Sequence, residues 1–295
     1  MGSGILMLLL IAALLNQATP QPNVSFGDLY TPMSDSAHTR VLGGGSTVEL
    51  LLDRASSGTC GSWGTYLFGT FSIGVRAVPG NSAGTVTAFY LQSSTASDID
   101  QHDEIDFELL GRISPRDPYI LQTNIYVNGT GRREQRMALW FDPSTDYHYF
   151  SLQWSRDLIV FYVDYVPIRV FRNNAALGVP YPDYNPMRAY ASLWDGSIWA
   201  TVDGNMRVHP VNWADAPFVA SFADFDLHTA CNATTTTQQA ACERDGGGNR
   251  TKQSLDLNDI SNLSNIHSRY IVYDYCSDTM RPDYPAIECA NNRYD

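Results

Sequence analysis

Apolar and polar positions alternate in short runs along most of the chain, and the runs are rich in β-branched and aromatic side chains. "TVELLLD" begins at Thr47, "YLFGTFSIGVRAV" at Tyr66 and "GTVTAFYLQ" at Gly84. "YILQTNIYV" follows from Tyr119, "YFSLQWS" from Tyr149 and "LIVFYVDYVPIRVF" from Leu158. "MRAYASLW" from Met187 and "FVASFADFDL" from Phe218 complete the series. Gly, Pro, Asn and Asp clusters separate the runs, as antiparallel hairpins require, and "VDYV" around Asp164 reads as a turn. Without a strand–helix–strand rhythm or a fixed-length repeat, this pattern predicts an all-β sandwich or jelly roll.

The C-terminal part departs from that rhythm. Residues Cys231 to Arg250 are rich in Thr, Gln and Gly and read as loop. "LDLNDISNLSNIHSRY" then places Ile260, Leu263 and Ile266 at helical spacing, and "RYIVYDYC" from Arg269 is strand-like again. Residues 231–295 are too few for a core of their own and are expected to pack on a sandwich spanning 21–230.

Composition narrows the partners. Hydrophobic residues make up 44% of the 295 and charged residues 17%, enough for a packed core. A net charge of −12 opposes nucleic acid and anionic membrane, which need basic patches, and leaves neutral polymers such as polysaccharide open. The apolar run Ile5–Leu15 is too short to span a bilayer and is followed by polar and small residues. Residues 1–20 therefore read as a secretory signal peptide, leaving no membrane anchor after cleavage. Secretion makes disulfides expected. Cys231, Cys242, Cys276 and Cys289 allow three connectivities, neighbour pairing being the economical one, while Cys60 stands alone. Sequons occur at Asn23, Asn128, Asn232, Asn249 and Asn262.

The candidate chemistry lies in "HDEIDFELL", from His102 to Leu110. Acids are kept out of apolar strands unless they are paired or used, and crowding them raises at least one pKa. On a strand, His102, Glu104, Asp106 and Glu108 share one face while Ile105, Phe107 and Leu109 point into the core. Glu104 and Glu108 then lie ~13 Å apart at Cα, and side chains leaning together bring them toward the ~5–5.5 Å of a retaining glycosidase pair. An inverting pair, at ~6.5–9.5 Å, fits the same arithmetic. A hard cation also seeks clustered carboxylates, but four in-line residues on a rigid strand cannot wrap one, so neither metal nor cofactor is expected.

"HDEIDFELLG" resembles the active-site strand of the xyloglucan endotransglucosylase/hydrolases, a plant cell-wall branch of glycoside hydrolase family 16. "LQTNIYVNGTGRREQRMALWFDP", "VPIRVF", "LGVPYP", "PMRAYASLW", "WAT" and "YDYCSDTMRPDYPAIEC" follow in family order, so the resemblance covers almost the whole mature chain. It implies a concave β-jelly roll with Glu104 as nucleophile, Asp106 as its helper and Glu108 as acid/base. It further implies glucan contacts at Gln122, Thr123, Asn124, Arg132, Arg133, Glu134, Trp199, Ala200, Gly204 and Arg281. Pairing of Cys231 with Cys242 and of Cys276 with Cys289 is implied as well. The implied protein is a monomeric, secreted enzyme of the cell wall and apoplast that cuts xyloglucan and rejoins it to another chain. The segment from Asp195 to Pro210 departs from the family pattern, which points to altered acceptor choice.

Overall fold

The computed structural model describes residues 24–93, 101–202, 206–248 and 251–292. The signal segment, Gly204 and the sequons at Asn23 and Asn249 lie outside the described residues.

Two antiparallel sheets pack face to face. The first has eight strands: β1 (Tyr30–Pro32), β4 (Gly58–Ser62), β13 (Arg188–Asp195), β6 (Thr85–Gln92), β7 (Glu104–Leu110), β8 (Ile120–Tyr126), β9 (Gln135–Ala138) and β15 (Ile271–Asp274), in that spatial order. The second has seven: β12 (Val166–Arg172), β11 (Leu158–Val163), β10 (His148–Trp154), β5 (Gly69–Arg76), β14 (Phe218–Asp226), β3 (Thr47–Leu52) and β2 (Thr39–Leu42). Alternation decides what enters the core. Ile105 and Phe107 of β7 meet Phe150 and Phe161 of the opposite sheet, with Phe107 edge-on to both rings at 5.4 and 5.2 Å.

The "VDYV" turn joins β11 to β12 with Asp164 and Tyr165 at φ 48° and 65°. Both values suit a two-residue hairpin whose twist matches its strands. The Asp164 carboxylate accepts from the Tyr149 amide at 2.9 Å and contacts His148 Nδ1 at 2.6 Å, which holds the turn to β10.

The predicted helix is present as α3 (Leu257–Tyr270), capped by Asp256 and lying over β12. Its Leu263 packs with Leu158, Val160, Tyr162 and Val170 on the outer side of the second sheet, a burial of about 1.5–3 kcal/mol. Two other helices correct the sequence reading. A single turn, α1 (Phe26–Leu29), precedes β1, and α2 (Thr236–Asp245) occupies the stretch expected to be loop. The Thr235 hydroxyl accepts from the Gln238 amide while the Gln238 side chain accepts from the Thr235 amide. That reciprocal cap, with Gly246 in the left-handed region at the other end, starts and stops a helix whose apolar content is too low to announce it. Cys231–Cys242 and Cys276–Cys289 are both bonded, and Cys60 is a buried free thiol that burial pushes up to about 12.

Candidate active site

Strand β7 lies in the middle of the eight-stranded sheet, and its polar residues face away from the core. Two cavities open over that face, of about 280 and about 1160 Å³, and both are lined by Glu104, Asp106, Glu108 and Trp194. They form one groove crossing the strands, with the carboxylates at its centre. From β4 to β15 there are six strand gaps, a floor of ~29 Å, long enough for several sugar residues.

Register supplies each carboxylate with different neighbours. Glu104 stands opposite Gln92 and Tyr126, and Glu108 opposite Ala88 and Gln122. Glu104 Oε2 accepts from Gln92 Nε2 at 2.8 Å and lies 2.8 Å from His102 Nε2. The His102 ring stacks on Tyr126 at 5.4 Å, which fixes its direction. Two nitrogen partners on one oxygen hold that carboxyl group in place.

Asp106 sits between the two glutamates, 4% exposed. Burial first, then the charge of Glu104 and a shared hydrogen bond with it, hold Asp106 well above the usual carboxylate range. In its protonated form Asp106 donates to Glu104 in the hydrogen bond they share. Glu108 is different again. Loss of water pushes its carboxyl up to about 7, against the pull of the Gln122 hydrogen bond and the Arg136 charge. The Gln122 amide donates to Glu108 at 2.6 Å and accepts from Arg136 Nε at 2.7 Å. One strand thus carries a carboxyl group held by two nitrogens, a buried acid beside it whose pKa is raised, and a second acid pushed up to about 7. Two carboxyl groups with environments pushed apart can divide nucleophile and acid/base work between them.

Gln122, Asn124, Glu134, Trp199 and Ala200 line the larger cavity. Trp194 and Trp199 lie tilted at 5.9 Å from each other along its wall. Thr123 faces the other way: its hydroxyl and carbonyl both accept from the buried Arg169 at 2.8 Å. Arg133 is also inward, with its Nε 3.0 Å from Glu288 Oε1. Together with Arg132 it lines a separate cavity of about 310 Å³. Arg281 meets the cleft through Glu134, at 3.7 Å, while its main partner is Asp283 at 3.0 Å.

Gln92, Tyr126, Arg136, Val272 and Tyr273 line the groove and were not singled out by the sequence. The last two sit on β15, so the C-terminal segment builds part of the cleft wall. Arg136 also lies over the Trp199 ring, 5.9 Å from its centre.

Comparison with known proteins identifies the family. The model of glycosyl hydrolases family 16 matches residues 27–215. A probable xyloglucan endotransglucosylase/hydrolase protein 5 of Arabidopsis thaliana is 45% identical over 92% of this chain and 90% of its own. The chain belongs to glycosyl hydrolase family 16, among the xyloglucan endotransglucosylase/hydrolases. A second member, xyloglucan endotransglucosylase protein 34 of Populus tremula x Populus tremuloides, is 41% identical over 97% of this chain and 95% of its own. Among solved structures, a Bacillus licheniformis beta-glucanase superposes with a TM-score of 0.53 at 22% identity. It covers 69% of this chain and 94% of its own, a likeness of fold. Like these family members, the chain is a glycoside-active enzyme on a jelly roll.

Proposed function

We propose that this family member is a retaining xyloglucan endotransglucosylase, with Glu104 attacking the anomeric carbon and Glu108 protonating the departing oxygen. The observation that carries the reading is the split environment on β7. Glu104 has Gln92 and His102 on one oxygen, whereas Glu108 is held near 7 by burial. In the first step the Glu104 carboxylate forms a bond to the anomeric carbon as the glycosidic bond breaks, and the Glu108 proton goes to the leaving chain. In the second step Glu108 takes the proton of an incoming sugar hydroxyl, which displaces Glu104. Asp106 donates to Glu104 and steadies its position through both steps.

Water competes with the acceptor, so transfer needs a sugar hydroxyl held in line. The broad wall formed by Trp194, Trp199, Arg136 and Tyr273 offers such a hold on one side of the carboxylates. Gln122, Asn124, Glu134, Trp199 and Ala200 are the direct glucan contacts in this reading. Arg281 sets the position of Glu134. Thr123 and Arg133 brace the sheet from behind, and Arg132 lies beside that brace.

The same reading assigns residues 1–20 to the signal, 21–230 to the catalytic sandwich and 231–295 to an extension that completes the cleft. It places the protein, as a glycosylated monomer, in the cell wall and apoplast. The short apolar leader, two disulfides and exposed sequons at Asn128 and Asn232 support that placement. The test supplies xyloglucan with an excess of labelled oligosaccharide acceptor and compares incorporated label with new reducing ends. Incorporation exceeding new ends is expected. Reducing ends accumulating without label would make the enzyme a hydrolase.

A further inference from the structure

The outer face of the seven-stranded sheet, on the far side of the core from the cleft, carries a second groove of about 510 Å³. Its floor follows from register. Ser151 of β10 pairs with Ser72 of β5 on one side and Tyr162 of β11 on the other, and Ser72 in turn stands opposite Asp226 of β14. The two small serines, with hydroxyls 2.7 Å apart, leave a trough between taller neighbours. It crosses four adjacent strands, from β11 to β14, a run of ~14 Å.

One wall of the trough is aromatic. Tyr149 and Tyr165 stack at 5.9 Å and 28°, and Tyr165 is 77% exposed on the β11–β12 turn. The Tyr149 hydroxyl donates to Asp224 at 2.9 Å. Asp224 itself sits in a bulge between Ala223 and Asp226 with φ 49°, which turns its carboxylate onto this face. Gln153 and His228 form the opposite side, and His228 Nδ1 lies 2.8 Å from Asp226.

We propose that this groove binds a neutral β-glucan chain and holds the enzyme to polymer at a site separate from the cleft. Flat tyrosine faces suit the C–H faces of sugar rings. Carboxylate, amide and hydroxyl groups along the trough take sugar hydroxyls as charge-assisted or ordinary hydrogen-bond partners. The described lining residues carry two carboxylates and no Lys or Arg, and with a net charge of −12 this disfavours acidic polysaccharide. The volume falls within the ~300–1,000 Å³ of ligand sites, and the run of ~14 Å across the strands has room for a short stretch of sugar chain. At one end α3 closes the face by packing on Tyr162 and its neighbours, so the ligand's path is bounded there.

The experiment uses the full chain carrying Glu104→Ala, so that turnover does not erode the polymer. Retention is measured by affinity electrophoresis in gels containing xyloglucan, unsubstituted β-glucan or polygalacturonate. Tyr165→Ala is the primary variant, because an exposed turn side chain is dispensable for folding; Tyr149→Ala is the second, with melting curves recorded for both. About three- to tenfold weaker retention on the neutral glucans is expected, the size of one aromatic contact. In the Glu104 protein, both variants should keep kcat and KM on short oligosaccharides, since neither residue touches the cleft. Unchanged retention of a folded Tyr165→Ala protein on neutral glucan would overturn the proposal, as would stronger retention of the parent by polygalacturonate. Because retention is read without catalysis, the result is independent of whether the cleft transfers or hydrolyses.

Discussion

Replacing Gln122 by Leu should move the alkaline limb of the pH–rate profile upward. Gln122 donates to Glu108 at 2.6 Å, a contact that stabilises the charged form and lowers the pKa that burial has raised. Leucine has a similar volume and no donor. A hydrogen bond to a charged group contributes about 1.5–3 kcal/mol, and one pKa unit corresponds to about 1.36 kcal/mol, so the bond alone is equivalent to about one to two units. Because Glu108 faces an open groove, the lower end applies, a rise of about one unit. Arg136, which donates to Gln122 at 2.7 Å, loses its anchor at the same time, and a weakened positive charge acts in the same direction. The sign is therefore unambiguous: the acid form of Glu108 persists to higher pH. The free enzyme should lose kcat/KM as pH rises through about 7, and the variant about one unit later. The assay is the initial rate of label transfer from xyloglucan to an oligosaccharide acceptor, with kcat/KM plotted against pH. Gln122 also faces the substrate, so a uniform drop in kcat/KM is expected and does not affect the position of the limb. An alkaline limb that stays in place or moves down would refute the acid role of Glu108 or the role of Gln122 in setting it.

Glu104→Ala should abolish turnover while glucan binding persists, because affinity comes from the whole groove; wild-type turnover in this variant would remove Glu104 from the nucleophile role. Glu108→Ala should spare substrates with good leaving groups, and equal losses on activated and natural donors would contradict proton donation. Asp106→Asn keeps shape and a donor toward Glu104, so it should lose less turnover than Asp106→Ala, for which a drop of about 10²–10³ is expected; equal losses would show that an ionised Asp106 is what matters. Arg133→Met breaks a buried ion pair and leaves Glu288 uncompensated, which should cost about 3–5 kcal/mol in urea unfolding with KM for glucan unchanged; a raised KM at full stability would instead make Arg133 a substrate contact.

Most of the fold was legible because a period of two marks a half-buried strand, and the pattern on β7 was especially clear. Ile105 and Phe107 could only point inward, which left the acids together on the open face. The neighbours of those acids were not legible. Gln92 reaches Glu104 and Gln122 reaches Glu108 through the pairing of consecutive strands, whose register is set by the loops between them, while Tyr126 stacks on His102 beside Glu104. Local periodicity says nothing of such register. Thr123 could have been separated from Gln122 and Asn124 by the same alternation that organised β7, since its side chain falls on the opposite face. Arg133 could not, because a buried arginine follows from the distant Glu288 and not from its own surroundings in sequence. Helix α2 illustrates the limit of hydrophobic periodicity: its only buried residue is Cys242, and the signal lay in the cap at Thr235 and Gln238.

Strand β15 gives the catalytic sheet an unusual order of completion. Its partner β9 is made early in the chain, yet the edge of β9 stays unpaired until residues 271–274 arrive, more than 130 residues later in synthesis. Until then the cleft lacks Val272 and Tyr273, Glu134 lacks Arg281, and Arg133 lacks Glu288. A nascent chain therefore carries its carboxylate strand well before it carries a finished groove, with an open strand edge exposed in the interval. Closing that edge links completion of the cleft to a segment made well after the carboxylate strand. The disulfide between Cys276 and Cys289 then ties that segment into a loop, so the step that finishes the cleft is also the one that an oxidising compartment can lock.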